Sequence, residues 1–188
     1  MKKLLILILA VCSTAISMVY AQRLVKGQVG IEASLGWVAS RQISPKNFTS
    51  WISIISNKSN GKYIMYRAEF DRKTYINDSY EIPVDQFLGK VIYNFSILTD
   101  PQKTVSINIG VGGVAGYSLI NNSQYVLPSG AVIQNRSGVV YGASTTSSIE
   151  LFITDYLILF VRGNVDILFG HSVSRFTPTA GAGIRIIL

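Results

Sequence analysis

Hydrophobic residues in this chain recur at every second position, not at the helical spacing of three and four. From Val29 to Ala39 the odd positions carry Val29, Ile31, Ala33, Leu35 and Trp37, and the even ones include Gly30, Glu32, Ser34 and Gly36. Successive side chains of a strand point to opposite faces, so the stretch predicts a strand with one apolar and one polar or small face. Val105 to Leu119 repeats the scheme, with Val105, Ile107, Ile109, Val111, Ala115, Tyr117 and Leu119 on one face and Ser106, Asn108, Gly110, Gly112, Gly116 and Ser118 on the other. So do Ile64 to Asp71, Gln86 to Ile97, Tyr141 to Leu151, Leu157 to Ile167 and Phe176 to Leu188. Residues 49 to 57, around Trp51, Ile52, Ile54 and Ile55, complete the count of eight but carry apolar residues in both phases.

Several of these strands exceed the ~5–6 residues of an ordinary strand. Crossing ~30 Å of hydrocarbon at a tilt takes about 9–11 residues, which accounts for the length. Lipid offers no partner to an unpaired strand edge, so a sheet in a membrane must close on itself. The expected fold is all-β: a closed antiparallel transmembrane β-barrel of about eight strands. A soluble sandwich or lipocalin-like barrel is the alternative, with shorter strands and a face buried against protein. The connections after the second, fourth and sixth strands are short, whereas Ile120 to Ser137 is long. Short turns on one side and longer loops on the other predict an outer-membrane barrel with both termini in the periplasm. Trp37, Trp51, Tyr63, Tyr75, Tyr93, Tyr117, Tyr141, Tyr156, Phe169 and Phe176 fall near strand ends, where interfacial girdles are expected.

Ahead of the strands, Lys2 and Lys3 precede the apolar run Leu4 to Val11, and Val19-Tyr20-Ala21 supplies tolerable cleavage positions. Residues 1–21 therefore read as a signal peptide and 22–188 as one barrel domain. The sole cysteine, Cys12, lies in that signal, and the branched Val11 before it argues against lipidation. A thiol-free mature chain excludes disulfides, Cys-bound metal and a Cys nucleophile. Of 17 basic residues, Lys2 and Lys3 leave with the signal, against 10 acidic ones. The remaining excess is scattered singly, which suits anionic lipid head groups and predicts no direct nucleic-acid binding.

Charges on the polar phase predict what fills the barrel. Glu32, Arg67, Glu69, Asp71, Lys90, Glu150, Arg162, Asp166 and Arg185 all point inward by this count. Eight strands leave an interior just wide enough for side chains, so a packed polar plug with a salt-bridge network is expected instead of a wide pore. Catalytic chemistry has one candidate, His171, the only histidine, beside Ser172 and Ser174. Adjacent residues rarely form a working dyad, and no nucleophile elbow, HExxH, EF-hand or phosphate-cradling loop accompanies them. No catalytic, cofactor-binding or metal site and no small-molecule substrate is expected.

Whole segments carry a further resemblance: IPVDQFLGKVIYNFSILTDPQKTVSINIGVGGVAGYSLIN from Ile82 to Asn121, then LPSGAVIQN, YGASTTSSIELFITDYLILFVRG and SRFTPTAGAGIRI. In these the chain resembles the conjugal transfer protein TraO family of Bacteroidetes conjugative transposons. Residues 40 to 62 and the segment NVDILFGHS depart from the family, which leaves His171 without an inherited role. The resemblance implies an outer-membrane component of a mating apparatus that moves DNA between cells, with other conjugal transfer proteins and outer-membrane lipid as its partners. It implies no catalytic residues. The alternatives are a generic small outer-membrane barrel for adhesion or envelope stability and a loop-catalytic barrel enzyme.

Overall fold

The computed structural model describes residues 26–39, 46–58, 61–77, 80–100, 104–125, 132–133 and 136–188. The expected signal, 1–21, and Cys12 lie outside the described residues. Eight strands follow one another: β1 (Val29–Val38), β2 (Phe48–Asn57), β3 (Tyr63–Asn77), β4 (Tyr80–Thr99), β5 (Val105–Ile120), β6 (Gly138–Phe152), β7 (Leu157–Gly170) and β8 (Phe176–Ile187). Each pairs antiparallel with its sequence neighbours, and β1 pairs with β8 from Gly30↔Ile187 to Val38↔Thr179, which closes the barrel. Every strand has a partner on both sides within the ring, so the barrel wall itself has no open edge.

The period of two sets which face is which. Leu35, Ile52, Val91, Val111, Ile149 and Val161 stand on the outside and are exposed, while the charged residues in the opposite phase are buried. β2 settles the ambiguous segment: Thr49, Trp51, Ser53, Ile55 and Asn57 face inward and Ile52 and Ile54 outward. Two of the expected girdle aromatics are thereby corrected. Trp51 is 2 % and Tyr63 1 % exposed, both inside the barrel. Tyr75 shares the inward phase of β3 and lines a cleft at the barrel mouth. The outward aromatics pair across strands, as Tyr141 does with Phe169, ring centroids 6.3 Å apart.

An even strand number brings both ends of the barrel sequence to one end, here the terminal end. The connections there run over five, five and four residues, after β2, β4 and β6. At the opposite, loop end they span nine residues after β1, two after β3, seventeen after β5 and five after β7. The expected contrast between the two ends thus fails at β3–β4. There the protruding length is hydrogen-bonded ladder: β3 and β4 stay paired to Asn77↔Tyr80, whereas β2 leaves β3 at Arg72 and β5 leaves β4 at Val84. Beyond β2 and β5 the hairpin rises by about five residues, on the order of 17 Å, with Asn47 accepting from the Thr74 N–H and Lys46 paired to Glu81 beside it. The Arg72 guanidinium fastens its base through two 2.7 Å bonds to Asp85.

Candidate functional site: the charged lumen

The nine charged residues of the polar phase are all inside, none more than 4 % exposed. They separate into two groups. Toward the terminal end, Arg162 donates to Glu32 through both terminal nitrogens, at 2.6 and 3.1 Å, and Arg185 donates to Glu32 at 2.6 and 2.9 Å. Arg185 also reaches both oxygens of Glu150, at 2.6 and 2.9 Å, and the Tyr63 hydroxyl donates to Glu150 at 2.7 Å. Two guanidiniums thus face two carboxylates, and the group is neutral.

Such a group is tolerable in so buried a place because each charge is paired and its donors are shared in a fork geometry that Arg alone offers. The flat faces of the guanidiniums are covered as well. Arg185 lies 4.8 Å from the Tyr63 ring centroid, Arg162 4.6 Å from Phe160 and Arg67 4.6 Å from Trp51. These cation–π contacts are worth ~2 kcal/mol or more when desolvated. The same ring of Trp51 fills the space left by Gly181. A Cβ built on Gly181 would fall 2.6 Å from the Trp51 ring, so the glycine makes room for the tryptophan.

Toward the loop end, the Lys90 ammonium bridges Glu69 at 2.7 Å and Asp166 at 2.6 Å. Arg67 donates to the other oxygen of Glu69 at 3.1 Å and to Asn164 at 3.0 Å. Asp71 belongs to this layer, but neither of its carboxylate oxygens has a hydrogen-bond partner, and Asp166 Oδ1 has none either. Three acids therefore face two bases here.

The expectation of a packed polar plug needs amending, since apolar clusters interleave with the charges. Ile55, Tyr63, Met65 and Ile92 form one, and Leu88, Val114, Val140 and Leu168 another. Trp51 and Tyr63 depart from the expected girdle because both stand in the inward phase of their strands. The signal lay in the register: Tyr63 is in phase with Arg67, Glu69 and Asp71, and Trp51 with Thr49 and Ser53. Asn164 stands in the inward phase of β7 and links Arg67 to Thr179.

His171 is exposed in the connection after β7. The Ser172 hydroxyl donates to the Ser174 carbonyl and the Ser174 hydroxyl to the Phe176 carbonyl, at 2.6 and 2.8 Å. Both hydroxyls are thus engaged by the turn's own backbone.

The barrel is similar in fold to Neisserial surface protein A (TM-score 0.53, 17 % identity, covering 85 % of this chain and 95 % of that one). It is similar also to Ail, the attachment invasion locus protein of Yersinia pestis (TM-score 0.51, 11 % identity, 86 % and 97 % covered). At such identities the likeness concerns the fold. No curated protein matches by sequence. The model of the family described as conjugative transposon protein TraO matches residues 25–188, the whole barrel and the connection leading into it. This chain therefore belongs to the TraO family of conjugative transposon proteins.

Proposed function

We propose that this protein is an outer-membrane component of a conjugative DNA-transfer apparatus and that it serves as an anchor or docking piece, not as the conduit. Residues 1–21 act as the export signal, the barrel spans the lipid of the outer membrane, and both termini lie in the periplasm. The observation that carries the reading is the lumen. Its section is occupied by paired charges and by Trp51, Tyr63 and two apolar clusters, which leaves no path for a nucleic-acid strand. Family membership supplies the setting, and the apolar outer face supplies the affinity for hydrocarbon. Within that setting, what the barrel offers other transfer proteins is its rim: the raised β3–β4 hairpin and the seventeen-residue connection after β5.

The test is an in-frame deletion in a donor strain, complemented by the full chain, with transfer frequency as the readout. Transfer should fall on deletion and return on complementation. Unchanged transfer with the neighbouring transfer genes intact would leave the alternative, a general small barrel for adhesion or envelope stability. Loss of transfer that only a His171-containing chain restores would instead point to loop chemistry.

A further inference from the structure

The loop-end layer of the lumen holds three acidic side chains, Glu69, Asp71 and Asp166, against two basic ones, Arg67 and Lys90. Glu69 is satisfied on both oxygens, by Lys90 and Arg67, and Asp166 is satisfied on one, by Lys90. Asp71, 2 % exposed, has no hydrogen-bond partner on either oxygen, and Asp166 Oδ1 is likewise without one. One oxygen from each of Glu69, Asp71 and Asp166 lies within 4.8 Å of the others. Two oxygens that far apart can both reach a single hard cation at roughly 2.4 Å. A buried carboxylate in excess of the bases around it is costly, so this layer calls for one further positive charge, a cation or a proton.

We propose that the layer binds one monovalent cation of the Na⁺ type, seated between Asp71 and the oxygen of Asp166 that Lys90 leaves free. The donors are all oxygen, as hard cations require. One positive charge makes the layer neutral, whereas a divalent ion would leave an excess beside the Lys90 ammonium. Further hydroxyls stand on the same ring of the barrel: Thr49 is the cross-strand neighbour of Asp71, and Ser144 that of Asp166. Access comes from the loop end, through a cleft lined by Asp71, Lys73, Tyr75, Gln86, Ser174 and Thr177. The other base at that mouth, Lys73, does not bond to Asp71; its ammonium stands 5.1 Å from the Tyr75 ring centroid.

The test uses the full chain refolded in zwitterionic detergent, with its thermal midpoint measured in NaCl and in choline chloride at equal ionic strength. Na⁺ should raise the midpoint by roughly 3–5 °C for each tenfold excess over its dissociation constant, and choline should not. Asp71→Asn should abolish the response, and Lys73→Met should keep it. A flat response overturns the proposal, as does one that survives Asp71→Asn, since that is general screening. A parent chain that ignores Na⁺ while Lys73→Met responds to it overturns the proposal and assigns the counter-charge to that lysine. Stabilisation by Ca²⁺ but not Na⁺ overturns the monovalent assignment, and a midpoint that follows pH with Na⁺ inert assigns the charge to a proton. Crystals of the unaltered chain soaked in Tl⁺ provide a readout independent of any variant's folding. An anomalous peak between Asp71 and Asp166 supports the site, and its absence overturns it.

Discussion

Glu32 is the residue on which the terminal-end group turns, since both Arg162 and Arg185 donate to it. Glu32→Gln keeps the shape but leaves two guanidiniums sharing one carboxylate. Breaking a buried pair by removing one partner costs about 3–5 kcal/mol, so the urea midpoint of the refolded barrel should fall accordingly. Gly181→Leu should do worse, because its side chain would occupy the place of the Trp51 ring and approach the Leu35 carbonyl. The expected outcome is loss of the folded band on an unheated gel, and a normally folded Gly181→Leu would refute the packing described. That the nine charges point inward was legible in the sequence, because a charge in a strand of period two has only two faces to choose from. Their partners were not. Glu32 and Arg162 are 130 residues apart, and only the stagger of the closed barrel brings them level.

Among the elements, β1 and β5 to β8 announce themselves by clean alternation, and their bounds fall within three residues of the pattern, β6 starting three residues earlier and β7 ending three later. β2 does not, because an inward Trp51 and Ile55 answer apolar lumen neighbours while Ile52 and Ile54 face outward. With hydrophobics in both phases, only pairing with β1 and β3 fixes the face. The hairpin of β3 and β4 escaped for a different reason: local alternation does not tell where a strand's neighbours stop. Because β2 and β5 have left that hairpin, shortening it beyond Arg72 and Asp85 loses the bond from Thr74 N–H to Asn47 and the exposed Lys46–Glu81 pair but no barrel ladder, and should lower the thermal midpoint only by a few degrees. The outer face should be less forgiving. Val161 is 60 % exposed midway along β7, and Val161→Arg should cost about 2–4 kcal/mol when unfolding is measured in lipid vesicles. A Val161→Arg barrel as stable as the parent in vesicles would place that face in water and count against the membrane reading.

At the scale of the molecule, a closed barrel whose interior is filled by its own side chains should resist detergent until heated. The folded chain should migrate differently from the boiled one, and identical mobility would speak against closure. In planar bilayers it should show no steady porin-like conductance, because eight strands leave room for side chains alone. The way the ring is joined carries a consequence for its biogenesis. Glu32 lies on the first strand, and its two cationic partners lie on the last two, so the first strand holds an unanswered charge until β7 and β8 have arrived. A chain truncated before β7 leaves that carboxylate with neither guanidinium, whereas the complete barrel pairs it in the step that joins its own seam.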